Sequence, residues 1–381
     1  MVARVALVHD WLVSQRGGEA VLESLIRLFP SAPIYTLVSE RSALSEVIAK
    51  QEIRTSVLES MLGRHRRHFR KFLPMFPQAM ERLDFRDFDF IVSTSHCVAK
   101  SAGRRHSIPH LSYVHTPMRY VWDQWRFYAP DNRILRNLAG PLRRYLQDWD
   151  RESSQGSHLR LVANSQFVAR RIQQVWQRQA DVIHPPVDAR FFTDASPYDR
   201  EGWCVVSALV PYKRVELAVR WASSYQRRLV VVGEGPERQR LEALAGPTVT
   251  FLGRVSREVI REVMSTSLAL IFPGIEDFGI VPLEAMATGT PVIAFGEGGA
   301  LETVVERVDL KTGTFFYEDT PRALEEAADR VEQAWGQDAY QRVEMQRWVE
   351  GFSTSRFDQE LRDACVSAAS ALGVQGLFNE G

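Results

Sequence analysis

Two glutamates, Glu276 and Glu284, lie eight positions apart in a segment that can bind a ligand carrying both hydroxyl and phosphate groups. The pattern of residues 268–295 predicts a strand, a loop, a helix and a second strand. We expect Pro282 at the first helical position and Gly289 as the left-handed residue that ends the helix. Glu284 would then lie in the first helical turn and Glu276 on the preceding loop, so each carboxylate could bind hydroxyl groups from its own side.

The start of this helix offers a place for the phosphate. Backbone N–H groups at a helix N-terminus favour an anion, because the helix dipole adds to their own donor capacity. The residues concerned are Gly279, Ile280 and Val281. A glutamate in the first turn also compensates the helix dipole, so the geometry taken alone favours a structural role. With phosphate between the two carboxylates, the outline is that of a site for a nucleotide-linked sugar.

The elements that must position these residues form two α/β halves. Apolar runs alternate with helical patterns along the chain, which is typical of parallel β–α–β units. The predicted strands are residues 4–8, 32–36, 88–93, 111–114, 159–163 and 182–184 in the first half, and 203–208, 229–232, 249–252, 268–272 and 292–295 in the second. We place the domains at 1–188 and 189–352, with a terminal helix in 353–381. Two such halves suit a ligand cleft between domains.

The segment 272–293 resembles the E-x7-E segment of the retaining glycosyltransferase family 4. The residues that carry the resemblance are Glu276, Phe278, Gly279, Glu284, Ala285, Gly289, Pro291 and Val292. A long ungapped match is a far more specific signal than a dipeptide. The resemblance implies an α/β fold of GT-B type, with two Rossmann-like domains facing a central cleft and a C-terminal helix that crosses back to the first domain. It also implies that Glu276 holds hydroxyls of the sugar and that Glu284 binds the ribose.

Three motifs of the first half become site candidates through the same resemblance. Gly17 and Gly18 follow the first strand and allow a ligand to approach the backbone closely, although a Gly-Gly turn alone is more often structural. His115 follows the strand 111–114 and matches the family's histidine that contacts the transferred sugar. We expect it to bind the sugar's 6-hydroxyl or to orient the oxocarbenium-like centre. Ser165 matches the family's Asn-Ser turn.

Two motifs of the second half are phosphate and base candidates. The family uses a lysine at the position of Lys213 to neutralise the leaving diphosphate. Many members also have an arginine where this chain has Ala208, so we expect Arg214 to supply the missing charge. The glycine turn that contains Arg254 and Val255 resembles the one that contacts the nucleotide base.

No metal or other cofactor is expected. Asp87-Phe-Asp89 and Asp148-Trp-Asp150 have the D-x-D spacing of a metal motif, but the first directly precedes a strand and the second lies in a helical pattern. We interpret both as structural. Lysine, arginine and helix N-termini would then stabilise the leaving group in place of a metal.

Composition limits the class and the compartment. The chain has 381 residues, enough for two domains, and its 47 basic residues balance its 47 acidic ones. Cys97, Cys204 and Cys365 show neither metal nor disulfide spacing, which indicates a reducing cytoplasm. The first residues enter a strand without a signal peptide, and no apolar run approaches a membrane span.

The run from Arg64 to Lys71 contains no acidic residue. Leu58, Met61, Leu62, Phe69, Phe72 and Leu73 fall on one helical stripe beside it. Two interpretations stay open: a helix packed on the first domain with a charged outer face, and an interfacial helix that binds anionic lipid. The second interpretation would make the protein peripheral to the inner face of the plasma membrane.

The start of the chain and the Val-Pro-Tyr-Lys-Arg motif most resemble bacterial mannosyltransferases of surface-polysaccharide (O-antigen) synthesis. The resemblance implies transfer of mannose from GDP-mannose, with retention of configuration, to a lipid-linked or saccharide acceptor. Three alternatives stay open: a transferase with another donor such as a UDP-sugar, a GT-B nucleotide-sugar epimerase, and a non-catalytic nucleotide-sugar sensor. A nucleic-acid partner is least expected, because no recognition motif accompanies the basic residues.

Overall fold

The computed structural model describes residues 2–13, 17–125, 139–193 and 199–378. The chain forms two compact units. The first comprises Met1–Pro186 together with Thr354–Gly381, and the second comprises Val187–Ser353. The C-terminal helix thus belongs to the first unit, as the resemblance implied.

The first unit is built on a seven-stranded parallel sheet. Its strands are β1 (Val5–His9), β2 (Ile34–Thr36), β3 (Ile53–Thr55), β4 (Phe90–Ser95), β5 (His110–Val114), β6 (Leu159–Ala163) and β7 (Asp181–Val182). They lie in the order β3-β2-β1-β4-β5-β6-β7. The chain reverses its direction of winding between β1 and β4, and ligands of doubly wound sheets bind at the carboxyl ends of strands at such a point.

Both faces of this sheet are buried. Val5 and Leu7 of β1 pack with Phe357 and Leu361 of the C-terminal helix, whereas Ala6 and Val8 pack in a second cluster on the opposite face. In the part of this unit that the structure describes, the α-helices are Gly17–Leu28, Glu46–Ala49, Val57–Leu62, Phe76–Glu81, Gly140–Glu152, Gln166–Trp176 and Thr354–Ala371, and the longest 3-10 helix is Gly63–Met75. Strands buried on both sides explain why the sequence shows continuous apolar runs here rather than alternation.

The second unit repeats the plan with six parallel strands. They are β8 (Trp203–Val206), β9 (Leu229–Val232), β10 (Val249–Gly253), β11 (Ala269–Phe272), β12 (Val292–Phe295) and β13 (Gly313–Phe316), in the order β10-β9-β8-β11-β12-β13. The corresponding reversal point lies between β8 and β11. The helices are Ala189–Thr193, Val215–Ser224, Arg238–Leu244, Arg257–Thr266, Ile280–Ala287, Ala300–Thr303, Pro321–Gly336 and Arg342–Glu350. The α/β class and the parallel sheets predicted from the sequence are confirmed.

The sequence pattern missed β3 and β13, which are edge strands of three and four residues. Three or four residues are too few to show a clear apolar run or an alternating pattern, although all four residues of β13 are buried. The stripe from Leu58 to Leu73 is also not one helix. It divides into an α-helix and a 3-10 helix at Gly63, whose φ is +48°.

Candidate functional site

The second unit places Glu276 on the loop that follows β11, at the carboxyl edge of its sheet. This loop packs tightly against the glycine turn after β12. The Gly299 N–H donates to the Glu276 carbonyl over 2.8 Å, and a Cβ on Gly298 would lie 2.6 Å from the same oxygen. This glycine turn consists of residues 296–299. The structure shows that it fixes the backbone of the Glu276 loop.

The helix after this loop begins earlier than the sequence predicted. It spans Ile280–Ala287, so Pro282 is its third residue rather than its first. A proline is tolerated there, because the first four N–H groups of a helix have no partner within it. Glu284 is consequently the fifth residue and lies in the second turn, so its predicted place in the first turn was wrong. Gly289 does adopt the left-handed conformation, with φ of +80°.

The N-terminus of this helix has no side-chain cap, since the N-cap residue is Gly279 in a left-handed conformation with φ of +103°. The first N–H groups of the helix, at Ile280 and Val281, therefore donate no hydrogen bond to a capping side chain. Phe278 beside them is buried and packs against Phe352 with ring centroids 5.8 Å apart. The polar N-terminus of the helix therefore lies next to two aromatic side chains that are packed together.

Lys213 forms an ion pair with Glu276. Lys213 ends the short 3-10 helix Pro211–Lys213 that follows β8, and Glu276 follows β11. The two strands flank the reversal point of the sheet, so residues 63 positions apart in the sequence meet at its carboxyl edge. Both side chains are about four-fifths buried. A charged pair of this kind can hold a ligand's hydroxyl and phosphate groups next to each other.

Arg214 has a different environment from its neighbour. Its φ of +52° is left-handed, a conformation that costs a non-glycine residue free energy. Its guanidinium lies 4.8 Å from the ring centroid of Phe295 and 4.0 Å from Asp319. The side chain lines an open cavity of about 350 Å³ between the helices that follow β8 and β9. Ala208 is exposed, and whether Arg214 replaces the charge expected there stays a prediction.

Glu284 is the titratable residue of this region whose pKa differs most from its ordinary value. Desolvation by burial raises its pKa to about 7, partly offset by the positive charge of Arg257 and reinforced by the negative charge of Asp188. Arg257 donates to Asp188 over 2.9 Å and lies 4.3 Å from the ring centroid of Phe191. The Glu284 carboxyl group is therefore harder to ionise than an exposed one. Ligand hydroxyls or a second positive group beside it would stabilise its charged form.

The remaining base candidates follow β10. Arg254 is exposed and Val255 is half-buried, and Ser256 then caps the helix Arg257–Thr266. They lie at the carboxyl end of an edge strand of the second sheet. Arg257 and Asp188 were not predicted from the sequence, because their relation to Glu284 depends on the packing of separate helices.

In the first unit, His115 follows β5 and lies beside the start of the helix Gly17–Leu28. A Cβ on Gly18 would lie 3.4 Å from Nε2 of His115. Gly17 is the first residue of that helix. The predicted histidine and the predicted glycine loop are thus brought together at the carboxyl edge of the first sheet, and the small residue lets the helix N-terminus approach the imidazole.

Three residues near His115 were not predicted: His9, Asp10 and His96. The ring of His96 lies 6.4 Å from that of His115 and 6.0 Å from that of His9, measured between centroids. His9 is bonded to Thr94, and burial, followed by the charge of His96, lowers its pKa to about 3. All three follow or end β1 and β4, so the rule that ligands bind at the carboxyl ends of strands would have found them.

Three predicted features have structural partners. The side chain of Ser165 accepts from the Val168 N–H over 3.1 Å and caps the helix Gln166–Trp176; its contact with the sugar donor stays a prediction. Asp150 of the second D-x-D motif is fully buried and pairs with the Lys100 ammonium at 2.8 Å, as the structural interpretation required. Asp89 of the first motif accepts from the Arg4 N–H. Within residues 2–13, 17–125, 139–193 and 199–378, no group of three side chains suits a metal ion.

The predicted basic surface is described only in part, since the side chains of residues 64–68 lie outside the described residues. Val57 and Met61 on the same segment are 53% and 56% exposed. Arg70 and Lys71 are exposed as well. Met61 was predicted to share one helical stripe with Leu58 and Leu62; those two are buried, whereas Met61 is exposed. Among the described residues, no helix has the length and apolar character needed to cross a membrane.

Two family models match successive parts of the chain. The model described as "Glycosyltransferase Family 4" matches residues 16–191 and the model described as "Glycosyl transferases group 1" matches residues 190–346. Among solved structures, sucrose-phosphate synthase from Thermosynechococcus elongatus superimposes with a TM-score of 0.70 at 18% identity over 96% of this chain and 99% of that one. HepE from Anabaena, crystallised with UDP, gives 0.67 at 18% identity over 95% and 100%. These two similarities show a common fold.

Curated relatives are similar over shorter stretches. The D-inositol 3-phosphate glycosyltransferase of Mycolicibacterium smegmatis is 29% identical over 39% of this chain and 40% of its own length. The alpha-1,3/1,6-mannosyltransferase ALG2 of Homo sapiens is 28% identical over 64% of each chain. A GDP-mannose-dependent monoacylated alpha-(1-6)-phosphatidylinositol monomannoside mannosyltransferase of Corynebacterium glutamicum is 29% identical over 38% of this chain and 46% of its own. The chain thus spans less than two thirds of the length of the curated relatives it matches.

Proposed function

Since this chain belongs to glycosyltransferase family 4, with the GT-B fold, we propose that it transfers mannose from GDP-mannose to a lipid-linked or saccharide acceptor with retention of configuration. The observation that carries the proposal is the ion pair between Lys213 and Glu276 beside an uncapped helix N-terminus. The ammonium group of Lys213 can bind a diphosphate, and the adjacent carboxylate of Glu276 can bind sugar hydroxyls. The mannose assignment draws on relatives whose names specify mannosyl transfer.

Each residue has one task in this proposal. Lys213 and the N–H groups of Gly279, Ile280 and Val281 bind the diphosphate, with Arg214 as a second cation. Glu276 binds hydroxyls of the sugar, Glu284 binds those of the ribose, and Arg254, Val255 and Phe278 line the nucleotide. In the first unit, His115 contacts the transferred sugar, and Gly17, Gly18 and Ser165 contact the donor.

The reaction needs no covalent intermediate on a side chain. The bond between C1 of the sugar and the phosphate oxygen breaks, and a bond from C1 to the acceptor oxygen forms on the same face. The proton of the acceptor hydroxyl passes to the departing diphosphate, whose added charge Lys213 stabilises. Protein cations and helix N-termini thus perform the task that a metal ion has in other transferases.

The proposal also includes binding to a membrane surface, because a lipid-linked acceptor resides there. Exposed Val57 and Met61 lie on the segment that also exposes Arg70 and Lys71. Apolar side chains beside basic ones are typical of an interfacial segment. Sedimentation with vesicles that contain anionic lipid should fall on replacing Arg70 and Lys71 by glutamate and stay unchanged for Lys50→Glu. Equal sedimentation of both variants would remove this part of the proposal.

A thermal-shift panel followed by a transfer assay tests the donor. We expect GDP and GDP-mannose to raise the unfolding temperature more than UDP, ADP or their sugars. Glu284→Gln should reduce the rise for every nucleotide, because the ribose is common to all of them. Incubation with GDP-mannose and a lipid-linked sugar acceptor should yield an α-linked product by NMR. Stabilisation by UDP-sugars alone would indicate that the donor is a UDP-sugar and not GDP-mannose. Release of an isomerised nucleotide sugar without acceptor would instead indicate an epimerase, and tight binding without transfer a sensor.

A further inference from the structure

Three arginines of the first unit line one open cavity at the edge of its sheet. The cavity has a volume of about 610 Å³. Arg160 belongs to β6, Arg170 to the helix Gln166–Trp176, and Arg178 to the segment between that helix and β7. None of the three takes part in the proposed transfer. We call this space the arginine cavity.

The arginine cavity lies where the edge strand β7 is shorter than its neighbour. β6 has five residues, whereas β7 has two, which pair with Val162 and Ala163. The first three residues of β6 therefore extend past the start of β7. The small side chains of Ala169 and Ala180 line the same space and leave room for a ligand.

The backbone holds Arg178 in place. Its guanidinium donates to the carbonyl groups of Ser154, Gly156 and Leu159 over 2.5, 3.3 and 2.9 Å. Leu159 is the first residue of β6, so the guanidinium covers the edge of that strand ahead of β7. The position of this charge is thus fixed before a ligand binds, which lowers the entropic cost of binding.

The positive charges of the arginine cavity exceed the negative ones. Among the described residues that line it, one is acidic, Asp181. Arg160 and Arg170 are exposed, and in the part of the chain that the structure describes neither forms an ion pair with a carboxylate. Burial, and after it the charge of Arg160, lowers the pKa of the Arg178 guanidinium. These two positive charges therefore repel each other, and an anion beside them would relieve the repulsion.

A phosphate group matches this arrangement. Guanidinium groups present paired N–H donors that bind two phosphate oxygens at once, and a cavity lined by one sign of charge concentrates counter-ions. We propose that the arginine cavity binds a phosphate group through Arg160, Arg170 and Arg178. The inference goes beyond the proposed function and does not depend on it. The phosphate can belong to a soluble phosphate ester or to the headgroup of an anionic lipid, and the experiments below distinguish these two sources.

Calorimetric titration with inorganic pyrophosphate tests the binding. All proteins in this test carry Lys213→Met, so that the probe cannot use the proposed diphosphate site. We expect the double variant Arg160→Gln/Arg170→Gln to weaken binding about tenfold, which is about 1.4 kcal/mol. Arg160→Lys/Arg170→Lys should lie between this variant and its parent, because lysine keeps the charge but not the paired donors.

The matched control is Arg82→Gln, at an exposed arginine of the same unit, which should leave the affinity for pyrophosphate unchanged. Arg178 is not replaced, because its loss would leave three carbonyl groups without their donor. Equal affinity of the double glutamine variant and the control would overturn the inference, as would the absence of pyrophosphate binding by the parent protein.

Sedimentation with vesicles identifies the source of the phosphate. The vesicles contain phosphatidylcholine alone or with phosphatidylglycerol, and the proteins keep Lys213. Weaker sedimentation of Arg160→Gln/Arg170→Gln than of Arg82→Gln with phosphatidylglycerol alone would assign the phosphate to a lipid headgroup. Equal sedimentation of the two, together with the loss of pyrophosphate affinity, would assign it to a soluble phosphate ester.

The outcomes also separate this inference from the proposed function. GDP should stabilise Arg160→Gln/Arg170→Gln as much as it stabilises wild type. A smaller rise in unfolding temperature with GDP in the double variant would overturn the inference, because the arginines would then serve the donor. Failure of wild type to transfer mannose would remove the proposed function and leave the pyrophosphate result as it stands.

Discussion

Glu284→Gln should stabilise the free protein at alkaline pH, because the wild-type carboxylate is costly to ionise where it lies. Its pKa of about 7 stands above the ordinary value of 4.5. The folded state therefore holds the proton more tightly than the unfolded state does, and the resulting stability is present below pH 4.5 and lost as pH rises towards 7. Glutamine has nearly the same shape and nothing to ionise.

The magnitude follows from the two pKa values. Compared with a side chain that does not ionise, the raised pKa of Glu284 lowers the free energy of unfolding by about 3 kcal/mol at pH 8 and by about 1 kcal/mol at pH 5. The advantage of Glu284→Gln over wild type should therefore grow by about 2 kcal/mol between these pH values. For a unit of this size, 1 kcal/mol corresponds to about 2–4 °C in unfolding temperature. The advantage in Tm should thus widen by about 4–8 °C.

The assay is thermal unfolding of wild type, Glu284→Gln and Glu262→Gln at pH 5 and pH 8 without nucleotide. Glu262 is exposed on the helix Arg257–Thr266, so its replacement should change stability by no more than about 0.5 kcal/mol at either pH. A difference between Glu284→Gln and wild type that does not depend on pH would refute the reasoning, because burial would then not govern the ionisation of this group.

The same substitution should act in the opposite direction on nucleotide binding. A carboxylate that accepts from ribose hydroxyls makes charge-assisted hydrogen bonds, each worth about 1.5–3 kcal/mol. Glu284→Gln should therefore weaken GDP binding by about 10–100-fold in calorimetry at pH 8, although the free protein is more stable. A variant that is both more stable and equally tight in binding would remove Glu284 from the ribose site.

Three further substitutions test separate parts of the structure. Lys213→Met should lower kcat by about 10²–10³-fold in steady-state kinetics, because it removes the cation that we propose to face the leaving diphosphate. Lys100→Met should lower the free energy of unfolding by about 3 kcal/mol in thermal denaturation, because it leaves Asp150 buried without its ion-pair partner. Gly299→Ala should cost about 1–3 kcal/mol and weaken GDP binding, because its Cβ would overlap the backbone of Phe278 and displace the Glu276 loop.

Each of these has a matched control. Lys213→Arg keeps the charge and should retain more activity than Lys213→Met. Lys50→Met removes an exposed ion pair with Glu46 and should have little effect on stability. Gly336→Ala adds a Cβ where no atom lies within 4 Å and should leave GDP binding unchanged. Equal losses in a variant and its control would show that the named contact does not cause the effect.

The sequence was sufficient for the class of fold and for most strands, because strands buried on both faces leave unmistakable apolar runs. It also located Glu276, Lys213 and His115 at the carboxyl ends of strands. The start of the helix at Ile280 was placed two residues late, since the pattern gave Pro282 the first position that proline most often occupies. A proline is nearly as acceptable anywhere in the first turn, so it marks the turn but does not fix its first residue.

What the sequence could not supply is the environment of each charge. In the sequence Glu284 looks like an ordinary helical glutamate, and only its burial in the folded unit, next to the charges of Arg257 and Asp188, gives it a pKa of about 7. The sequence likewise does not show that Asp10 fixes the turn after β4, because all four donors to its carboxylate are main-chain N–H groups that any residue type would provide. Motif matching finds side chains that contact ligand, but it is blind to side chains whose partners are backbone.

Arg214 illustrates how both kinds of information are needed at one position. Its backbone is left-handed, a conformation that glycine adopts without cost, yet the residue at this position is an arginine. The side chain gains a cation–π contact with Phe295 and the attraction of Asp319 in return. Arg214→Gly would relieve the backbone while removing these contacts and one positive charge near Lys213. Loss of donor affinity in that variant without loss of stability would assign Arg214 to the phosphate, whereas loss of stability alone would make it a structural residue and leave Lys213 as the sole cation of the proposed diphosphate site.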